Sequence, residues 1–230
     1  MTLKEIRKKT EKKSTENDAN KSNLFGYYFW RPISRYFTWI ALKKPITPNQ
    51  VTFLSLLACV AGFIVLIFAK TLIWKIIGVS FFSLWCILDC VDGDVARFKK
   101  KFSPIGDLWD AAAGYAALAL LFLGMGMSAY FAKDHYGAYY VLCGGITAVA
   151  ALYPRLLMHF KYHGQDNEIN KKNDYGLIKM IAFNIISPDA LLIPFMYIAV
   201  IFGLERIFVL GYGLLYLLVC VYTSAQLLKE

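Results

Sequence analysis

Aspartates crowd the end of the second long apolar segment of this sequence, where ionisable side chains are rare. After Leu88 come Asp89, Asp92 and Asp94, followed by Arg97. A carboxylate costs about 2.5–3.5 kcal/mol at the centre of a membrane-spanning helix, and ionisable groups at such depth are usually functional. Because the C-terminal end of a helix also carries partial negative charge, these carboxylates need a compensating cation.

Two of these carboxylates and one from the next helix are predicted to bind a metal ion. Asp89 and Asp92 are three residues apart and share a helix face, whereas Asp94 points elsewhere. Asp110 lies near the start of the third apolar segment, and antiparallel packing would place it beside the pair. Oxygen-only ligands at an aqueous rim favour magnesium, manganese or calcium, and magnesium if the substrate carries phosphate.

Positive charge and small residues next to the aspartates indicate a phosphate-binding site. Gly93 and Gly106 lack side chains where a ligand can approach the backbone, and Arg97 with Lys99–Lys101 offers positive charge to phosphate oxygens. The alternative is structural: these basic residues only hold the loop in the cytoplasm, and the aspartates pair with them.

Composition indicates that these residues are positioned by helices in a membrane. Of the 230 residues, 58% are hydrophobic and the mean hydropathy is +0.47, above the apolar share of ordinary soluble domains. We therefore predict an all-α fold, a bundle of six transmembrane helices preceded by an amphipathic interfacial helix. The predicted spans begin near Val51, Leu72, Leu108, Ala138, Leu191 and Ile207.

The basic residues orient this bundle, because positively charged loops stay in the cytoplasm. With both termini inside, all 25 lysines and arginines except Lys70, Lys75, Lys133 and Arg206 fall on the cytoplasmic side. We therefore predict a multi-pass protein of the cell (inner) membrane, in contact with lipid and without a nucleic-acid partner. The 5 cysteines lie in apolar segments and are interpreted as packing residues.

The chain is divided into three predicted regions. Residues 1–23 are predicted to be a disordered basic cytoplasmic tail, residues 24–44 an amphipathic helix on the inner leaflet, and residues 45–230 the six-span domain. The helix is either a simple anchor or part of the wall of the site. Pro45 and Pro48 end it, and Thr47 or Asn49 is predicted to cap the first span.

At the aspartate cluster the sequence resembles the CDP-alcohol phosphotransferase family, also called CDP-alcohol phosphatidyltransferases. The family signature is Asp-x2-Asp-Gly-x2-Ala-Arg, eight or nine residues, then Gly-x3-Asp-x3-Asp. The positions that match are Asp89, Asp92, Gly93, Ala96, Arg97, Gly106 and Asp110, with eight residues between the two parts.

The resemblance implies a membrane enzyme that transfers a substituted phosphate from a CDP-linked donor to an alcohol hydroxyl and releases CMP. It implies metal ions, magnesium or manganese, on Asp89, Asp92 and Asp110, and donor binding around Gly93, Ala96, Arg97 and Gly106. It also implies a homodimer and a role in phospholipid or related membrane-product synthesis. The donor is either CDP-diacylglycerol or a soluble CDP-alcohol, and the sequence leaves both open.

The sequence departs from the signature at one place, because Gly114 stands where the family has its fourth aspartate. That carboxylate is thought to activate the acceptor hydroxyl and to ligate a second metal. Asp110 and Asp107 are the remaining catalytic candidates on this helix stripe, although Asp107 lies about 10 Å along the axis from residue 114. The alternative function is therefore an altered or inactive member that binds nucleotide or lipid without turnover.

Further polar residues near the predicted inner face have ordinary explanations beside functional ones. Arg155 is an anion contact or an interfacial anchor, and His159 and His163 are interpreted as interfacial side chains rather than metal ligands. Asp189 follows Ser187 and Pro188 and is not assigned a catalytic role. The polar segment 162–179 is interpreted as a connector, with a cover over the site as the alternative.

Overall fold

The protein is built from helices. The computed structural model describes residues 3–10, 23, 25–131, 137–162 and 177–228, without the side chains of residues 4, 161–162 and 177–180. The helices are α1 (Leu3–Thr10), α2 (Arg31–Lys43), α3 (Pro48–Phe68), α4 (Leu72–Lys99), α5 (Pro104–Tyr130), α6 (Gly137–Tyr162), α7 (Leu177–Ile186), α8 (Ile193–Phe202) and α9 (Glu205–Leu227). Two π-helical turns, Gly26–Trp30 and Pro188–Leu192, lead into α2 and α8. The described part of the chain contains no strand, so the all-α prediction is confirmed for it.

Five helices in the described part of the chain are long and apolar enough to cross a membrane, namely α3, α4, α5, α6 and α9. The stretch Pro188–Phe202 is apolar but shorter. Its backbone leaves helical geometry at Ala190, with φ −107° and ψ −111°. Because the helix after this break rises only about 15 Å, it covers half of a hydrocarbon core of ~30 Å. The protein is a multi-pass membrane protein, and the six-span count stays a prediction.

The core lies between the long helices and depends on close backbone approach. A Cβ atom at Gly126 of α5 would lie 2.7 Å from the carbonyl oxygen of Tyr140, and one at Gly144 of α6 would lie 2.7 Å from that of Phe122. Small residues permit such contacts between membrane helices. Phe122 also meets Tyr216 of α9 edge-on at 5.3 Å between ring centroids. The bundle therefore holds α5 rigidly against α6 and α9.

Part of the segment predicted to be a cytoplasmic tail forms a helix. Leu3–Thr10 form α1, and Ile6 is 0% exposed against the rest of the protein. Lys9 places its Nζ 4.6 Å from the ring centroid of Phe98 at the end of α4. The composition of a polar segment does not reveal that an apolar side chain such as Ile6 is buried against the bundle. Residues 11–22 lie outside the described residues.

The segment predicted to be an interfacial helix forms a π-helical turn and then α2. Ser34, Thr38 and Ala41 are buried on one face of α2, whereas Tyr36 and Phe37 are exposed on another. The buried face packs on α4. The helix is thus amphipathic in an unusual sense, since its small and polar side chains face the protein and its aromatic rings face outward. Its position at a membrane surface stays a prediction.

Capping residues bring three helix ends together at one side of the bundle. Thr47 caps α3, because its Oγ1 accepts a hydrogen bond from the Gln50 backbone N–H at 3.4 Å and the Gln50 Oε1 accepts one from the Thr47 N–H at 2.9 Å. Of the two predicted capping residues, Thr47 and Asn49, the structure shows Thr47 as the cap. At α5, the Ser103 Oγ accepts from the Gly106 N–H at 3.0 Å. Lys99 closes this end by donating its Nζ hydrogen bond to the Ile46 carbonyl at 2.6 Å.

A buried ion pair holds the opposite end of the bundle. Glu205, the first residue of α9, is 1% exposed, and its Oε1 lies 2.6 Å from the Nζ of Lys75 on α4. Removing one partner of a buried pair leaves an uncompensated charge and typically costs about 3–5 kcal/mol.

We expect Glu205→Ala to lower the melting temperature by on the order of 10 °C, because Lys75 would keep a buried ammonium without its partner. Thermal unfolding in detergent micelles, followed by circular dichroism, measures this change. Lys70→Ala is the matched control, because Lys70 is exposed, and it should leave the melting temperature nearly unchanged. Equal melting temperatures for both variants would contradict a stabilising role for the pair.

Candidate active site

Three aspartates from two helices converge at the end of the bundle where the caps lie. Carboxylate oxygens of Asp89 and Asp92 on α4 and of Asp110 on α5 all lie within 4.8 Å of one another. Asp92 is buried, Asp89 is half-buried and Asp110 is exposed. The convergence expected from the sequence is therefore present in the folded chain. Three carboxylate oxygens at this spacing suit a hard divalent cation such as magnesium or manganese.

Asp92 is oriented by a residue that the sequence did not single out. The Oγ1 of Thr52 on α3 donates its one proton to Asp92 Oδ2 at 2.7 Å, and the Pro48 carbonyl oxygen is a weaker second acceptor at 3.3 Å. Thr52 is 4% exposed. A hydroxyl that fixes one carboxylate oxygen leaves the other oxygen available, so Thr52 positions Asp92 toward the cluster. Its only sequence signal is its place one turn into the capped start of α3.

Asp94 points away from the three-carboxylate cluster, as expected, and orients Arg97 instead. Asp94 Oδ1 lies 2.7 Å from Arg97 Nη2, and Asp94 Oδ2 accepts a weak hydrogen bond from Thr38 of α2 at 3.4 Å. A Cβ at Gly93 would lie 3.2 Å from Arg97 Nη1, so the glycine leaves room for the guanidinium to lie across the helix. The Nε of Arg97 has no hydrogen-bond partner within the described residues.

A cavity of about 450 Å³ lies on the α3 side of the aspartates. We call it the α3 cavity. It is lined by Pro48, Asn49, Thr52, Asp92, Gly93, Ala96, Arg97, Lys101, Phe102, Ser103, Gly106, Asp107 and Asp110. The N-terminal ends of α3 and α5 meet there, and helix N-termini favour anions. All four residues that the sequence assigned to donor binding thus line one cavity.

Gly106 lies where two helix ends approach each other in this cavity. A Cβ at residue 106 would lie 3.0 Å from the Ser103 Oγ and 3.2 Å from the Asn49 Oδ1. These two side chains would have to shift slightly to admit a side chain at residue 106. The glycine thus leaves the starts of α3 and α5 close together beside Arg97.

A second cavity, of about 320 Å³, lies on the other side of the aspartates, and we call it the α2 cavity. It is lined by Asn23, Gly26, Tyr27, Trp30, Arg31, Ser34, Asp89, Cys90, Asp92, Gly93, Asp94, Arg97, Asp110, Phe183 and Asp189. The two cavities share Asp92, Gly93, Arg97 and Asp110. Asp92 and Asp110 therefore line both cavities, whereas Asp89 lines only the α2 cavity. The segment before α2 forms part of the wall of the α2 cavity, which is the second of the two roles predicted for it as alternatives.

Residue 114 lies one helical turn beyond Asp110, and it faces open space. A Cβ built at Gly114 would meet no atom within 4 Å, so an aspartate side chain has room there. Asp107 lies in the first turn of α5 and lines the α3 cavity, but it does not belong to the three-carboxylate cluster. The structure therefore brings Asp110 and the α4 pair together and leaves Asp107 at the rim.

The remaining sequence candidates on α6 have different surroundings. Arg155 is half-buried, and its charge acts on Asp89 across the bundle. His159 is exposed and meets Tyr115 edge-on at 6.2 Å between ring centroids. His163 lies outside the described residues, as does most of the polar segment 162–179, so the alternatives for that segment stay predictions.

Asp189 lies at the site, although the sequence alone assigned it no role. It lies in the π-helical turn before α8 and lines the α2 cavity together with Asp89 and Asp110. Its carboxylate accepts hydrogen bonds from the Ser187 Oγ and from the Asn23 Nδ2, which lies 166 residues away in the chain. A carboxylate in an apolar segment directly after Ser187 and Pro188 was the available signal.

Comparison with known proteins agrees with this geometry. The family model for CDP-alcohol phosphatidyltransferase matches residues 45–212, which include every residue of the cluster, the whole of α3, α4, α5 and α6, and the start of α9. Among curated proteins, none matches this chain. The family is typically dependent on a divalent metal, and its members are generally enzymes that transfer a phosphate-containing group from a CDP-alcohol donor to an alcohol acceptor. The matched region covers more than half of the chain, which therefore belongs to the CDP-alcohol phosphatidyltransferase family.

Proposed function

We propose that this protein transfers a substituted phosphate from a CDP-linked donor to an alcohol hydroxyl and releases CMP, with magnesium or manganese as cofactor. The product would be a phospholipid or a related membrane-anchored molecule. The observation that carries the proposal is the convergence of Asp89, Asp92 and Asp110, of which Asp92 and Asp110 line both cavities. A reaction that joins two substrates at one phosphorus atom can use such an arrangement, with one substrate in each cavity.

The α3 cavity is the proposed place of the CDP moiety. Two helix N-termini, Arg97 and Lys101 supply hydrogen-bond donors and positive charge for the diphosphate. Gly93, Ala96 and Gly106 leave space for the nucleotide to approach the backbone. Asp94 holds Arg97 in place, so the guanidinium is oriented before the donor arrives.

Asp89, Asp92 and Asp110 are the proposed metal ligands, and Thr52 fixes the orientation of Asp92. A bound divalent cation would supply neutralisation of the phosphate charge that accumulates as CMP departs. The acceptor oxygen forms a bond to the phosphorus that carries the alcohol substituent. The bond from that phosphorus to the CMP oxygen breaks, and its electron pair leaves with CMP. The acceptor proton passes to a base, for which Asp107 and water are the candidates.

Release of CMP from the purified full-length protein in lipid nanodiscs tests the proposal. One set of reactions supplies CDP-diacylglycerol with small alcohols, and the other supplies soluble CDP-alcohols with diacylglycerol. We expect CMP release in one set, its loss with EDTA, and its return with excess magnesium or manganese. CMP release that persists undiminished after exhaustive chelation would contradict the proposed metal dependence.

A second function is favoured by Gly114, namely binding of nucleotide or lipid without turnover. The absent carboxylate is the one that the family resemblance connects with activation of the acceptor. Failure of both the natural chain and Gly114→Asp to release CMP from any donor would favour this alternative. The retained carboxylates count against it, because a protein that does not handle a cation has no need of them.

The proposed setting is the cell (inner) membrane, with both termini in the cytoplasm and two copies of the chain forming a homodimer. The basic residues around α1, α2 and the turn between α4 and α5 support the orientation. The outward aromatic rings of Tyr36 and Phe37 support an interfacial position for α2. Both substrate cavities would then face the cytoplasmic leaflet.

A further inference from the structure

Asp189 lines the reaction site but is not one of the clustered carboxylates. It shares the α2 cavity with Asp89 and Asp110, and the charges of Asp189 and Asp89 act on each other. The three clustered aspartates have oxygens within 4.8 Å of one another, and Asp189 is not a member of that group. Asp189 therefore faces the space beside the cluster rather than the position of the ion.

The local structure holds the Asp189 side chain in one orientation. Pro188 begins the π-helical turn, and Ala190 has non-helical dihedral angles. The backbone therefore changes direction at Ala190 instead of continuing α7 into α8. The Ser187 and Asn23 side chains donate hydrogen bonds to the two different carboxylate oxygens. Asn23 is itself fixed, because its Oδ1 accepts from the Gly26 N–H at 2.9 Å. A carboxylate has about four lone-pair sites, so it can accept further hydrogen bonds from a ligand.

The charge in the α2 cavity is unbalanced around this carboxylate. Asp94 and Arg97 form an ion pair, whereas no lysine or arginine of the described chain forms one with Asp189. Among the described residues that line the cavity, Arg31 carries the one guanidinium other than that of Arg97. A carboxylate inside a helix bundle, with other carboxylates beside it, is stabilised by a ligand that donates hydrogen bonds.

The dimensions of the α2 cavity limit the ligand. A volume of about 320 Å³ is at the lower end of the range for small-molecule sites. Polar atoms mix there with the rings of Tyr27, Trp30 and Phe183. A small alcohol with several hydrogen-bond donors fits this lining, whereas acyl chains require an apolar surface. The nucleotide already has a place in the α3 cavity under the proposed function.

We propose that Asp189 is the specificity-determining residue for the small polar alcohol moiety of the reaction, which it holds in the α2 cavity through hydroxyl or ammonium hydrogen bonds. This inference rests on the proposed function. The alcohol moiety has two possible sources. It is the acceptor if the donor is CDP-diacylglycerol, and it is the substituent of the donor if the donor is a soluble CDP-alcohol.

The test compares Asp189→Asn with the natural chain in two sets of reactions. The first uses CDP-diacylglycerol with glycerol, inositol or ethanolamine, and the second uses CDP-glycerol or CDP-ethanolamine with diacylglycerol. In the set that is active, we expect KM for the substrate carrying the small alcohol to rise about ten- to hundredfold. KM for the lipid substrate and kcat should change less than threefold.

Two further variants separate binding from folding. Asn23→Ala removes one donor to the carboxylate but keeps its charge, and it should raise the same KM by a smaller factor. Tyr197→Phe in α8 is the control, because its hydroxyl bonds to Ser80 and Ser83 of α4, away from the α2 cavity. Both KM values of this control should equal those of the natural chain.

Thermal unfolding provides a readout that does not depend on turnover. With CMP, magnesium and the active alcohol present, the natural chain should melt at a higher temperature than without the alcohol, and Asp189→Asn should lose this increase. Two results for Asp189→Asn would overturn the role of Asp189. One is an unchanged KM for the small alcohol, and the other is an alcohol-dependent increase in melting temperature equal to that of the natural chain. If the natural chain released no CMP in either set, the proposed function itself would fail and the inference with it.

Discussion

Asp110→Ala is expected to reduce CMP release by on the order of 10²- to 10³-fold, because it removes one of the three oxygens that would hold the cation. Asp89 and Asp92 would remain with their mutual repulsion and without a third ligand from α5. The loss should appear in kcat/KM for every donor and acceptor combination that the natural chain accepts. Quantifying CMP by chromatography under saturating magnesium measures it.

Asp107→Ala is the matched comparison, because it deletes a carboxylate from the same helix three residues earlier. Asp107 lines the α3 cavity but lies outside the three-carboxylate cluster. We expect its replacement to reduce CMP release less than tenfold. A loss as large as that of Asp110→Ala would support Asp107 as the catalytic base, and unchanged turnover for Asp110→Ala would disprove the assignment of the metal site.

Gly114→Asp is expected to raise turnover by on the order of 10²-fold, the contribution typical of a positioned acid or base. A Cβ at residue 114 meets nothing within 4 Å, so the added carboxylate fits without displacing a neighbour. It would lie one turn from Asp110 on the same helix stripe and complete the family signature. Steady-state CMP release, measured with the donor that the natural chain uses, tests this expectation.

Gly114→Asn controls for the backbone and for volume. Replacing a helical glycine by asparagine or aspartate stabilises the helix by only about 0.3 kcal/mol, and asparagine shares this effect with aspartate but brings no charge. Turnover of Gly114→Asn should therefore equal that of the natural chain. If Gly114→Asp and Gly114→Asn behaved alike, position 114 would have no part in catalysis, and acceptor activation would depend on other groups.

Together, these variants distinguish metal binding at the site from activation of the acceptor. Asp110→Ala removes a clustered carboxylate that lines both cavities, whereas Gly114→Asp acts only on activation of the acceptor, the step that the departure from the signature affects. If Asp110→Ala is inactive and Gly114→Asp turns over faster than the natural chain, the protein is an enzyme in which activation of the acceptor hydroxyl is slow. A chain that is inactive before and after Gly114→Asp would be a binding protein that retains the family fold.

Much of the fold and of the site could be predicted from the sequence because the relevant information is local. Apolar runs long enough to cross a bilayer predicted the positions of α3, α4, α5, α6 and α9. The spacing of three residues placed Asp89 and Asp92 on one helix face, and the antiparallel reversal between α4 and α5 placed Asp110 beside them. The cap of α3 could be narrowed to Thr47 or Asn49 because capping hydrogen bonds are made within the first turn of a helix, and the structure shows Thr47.

Tertiary structure alone decided the features that join distant segments. Ile6 of α1 is buried against the bundle. Neither the periodicity nor the composition of a polar segment indicates which part of the bundle such a side chain contacts. Asp94 was expected to point away from Asp89 and Asp92, but only the packing of α2 on α4 placed it near Thr38. The hydrogen bond between Asn23 and Asp189 joins residues that are 166 positions apart. The sequence by itself thus determined which helices carry the three clustered carboxylates, because those relations repeat every helical turn. Only the folded chain determined that Asp189 and the segment before α2 enclose the cavity beside them, because those contacts depend on how separate helices pack.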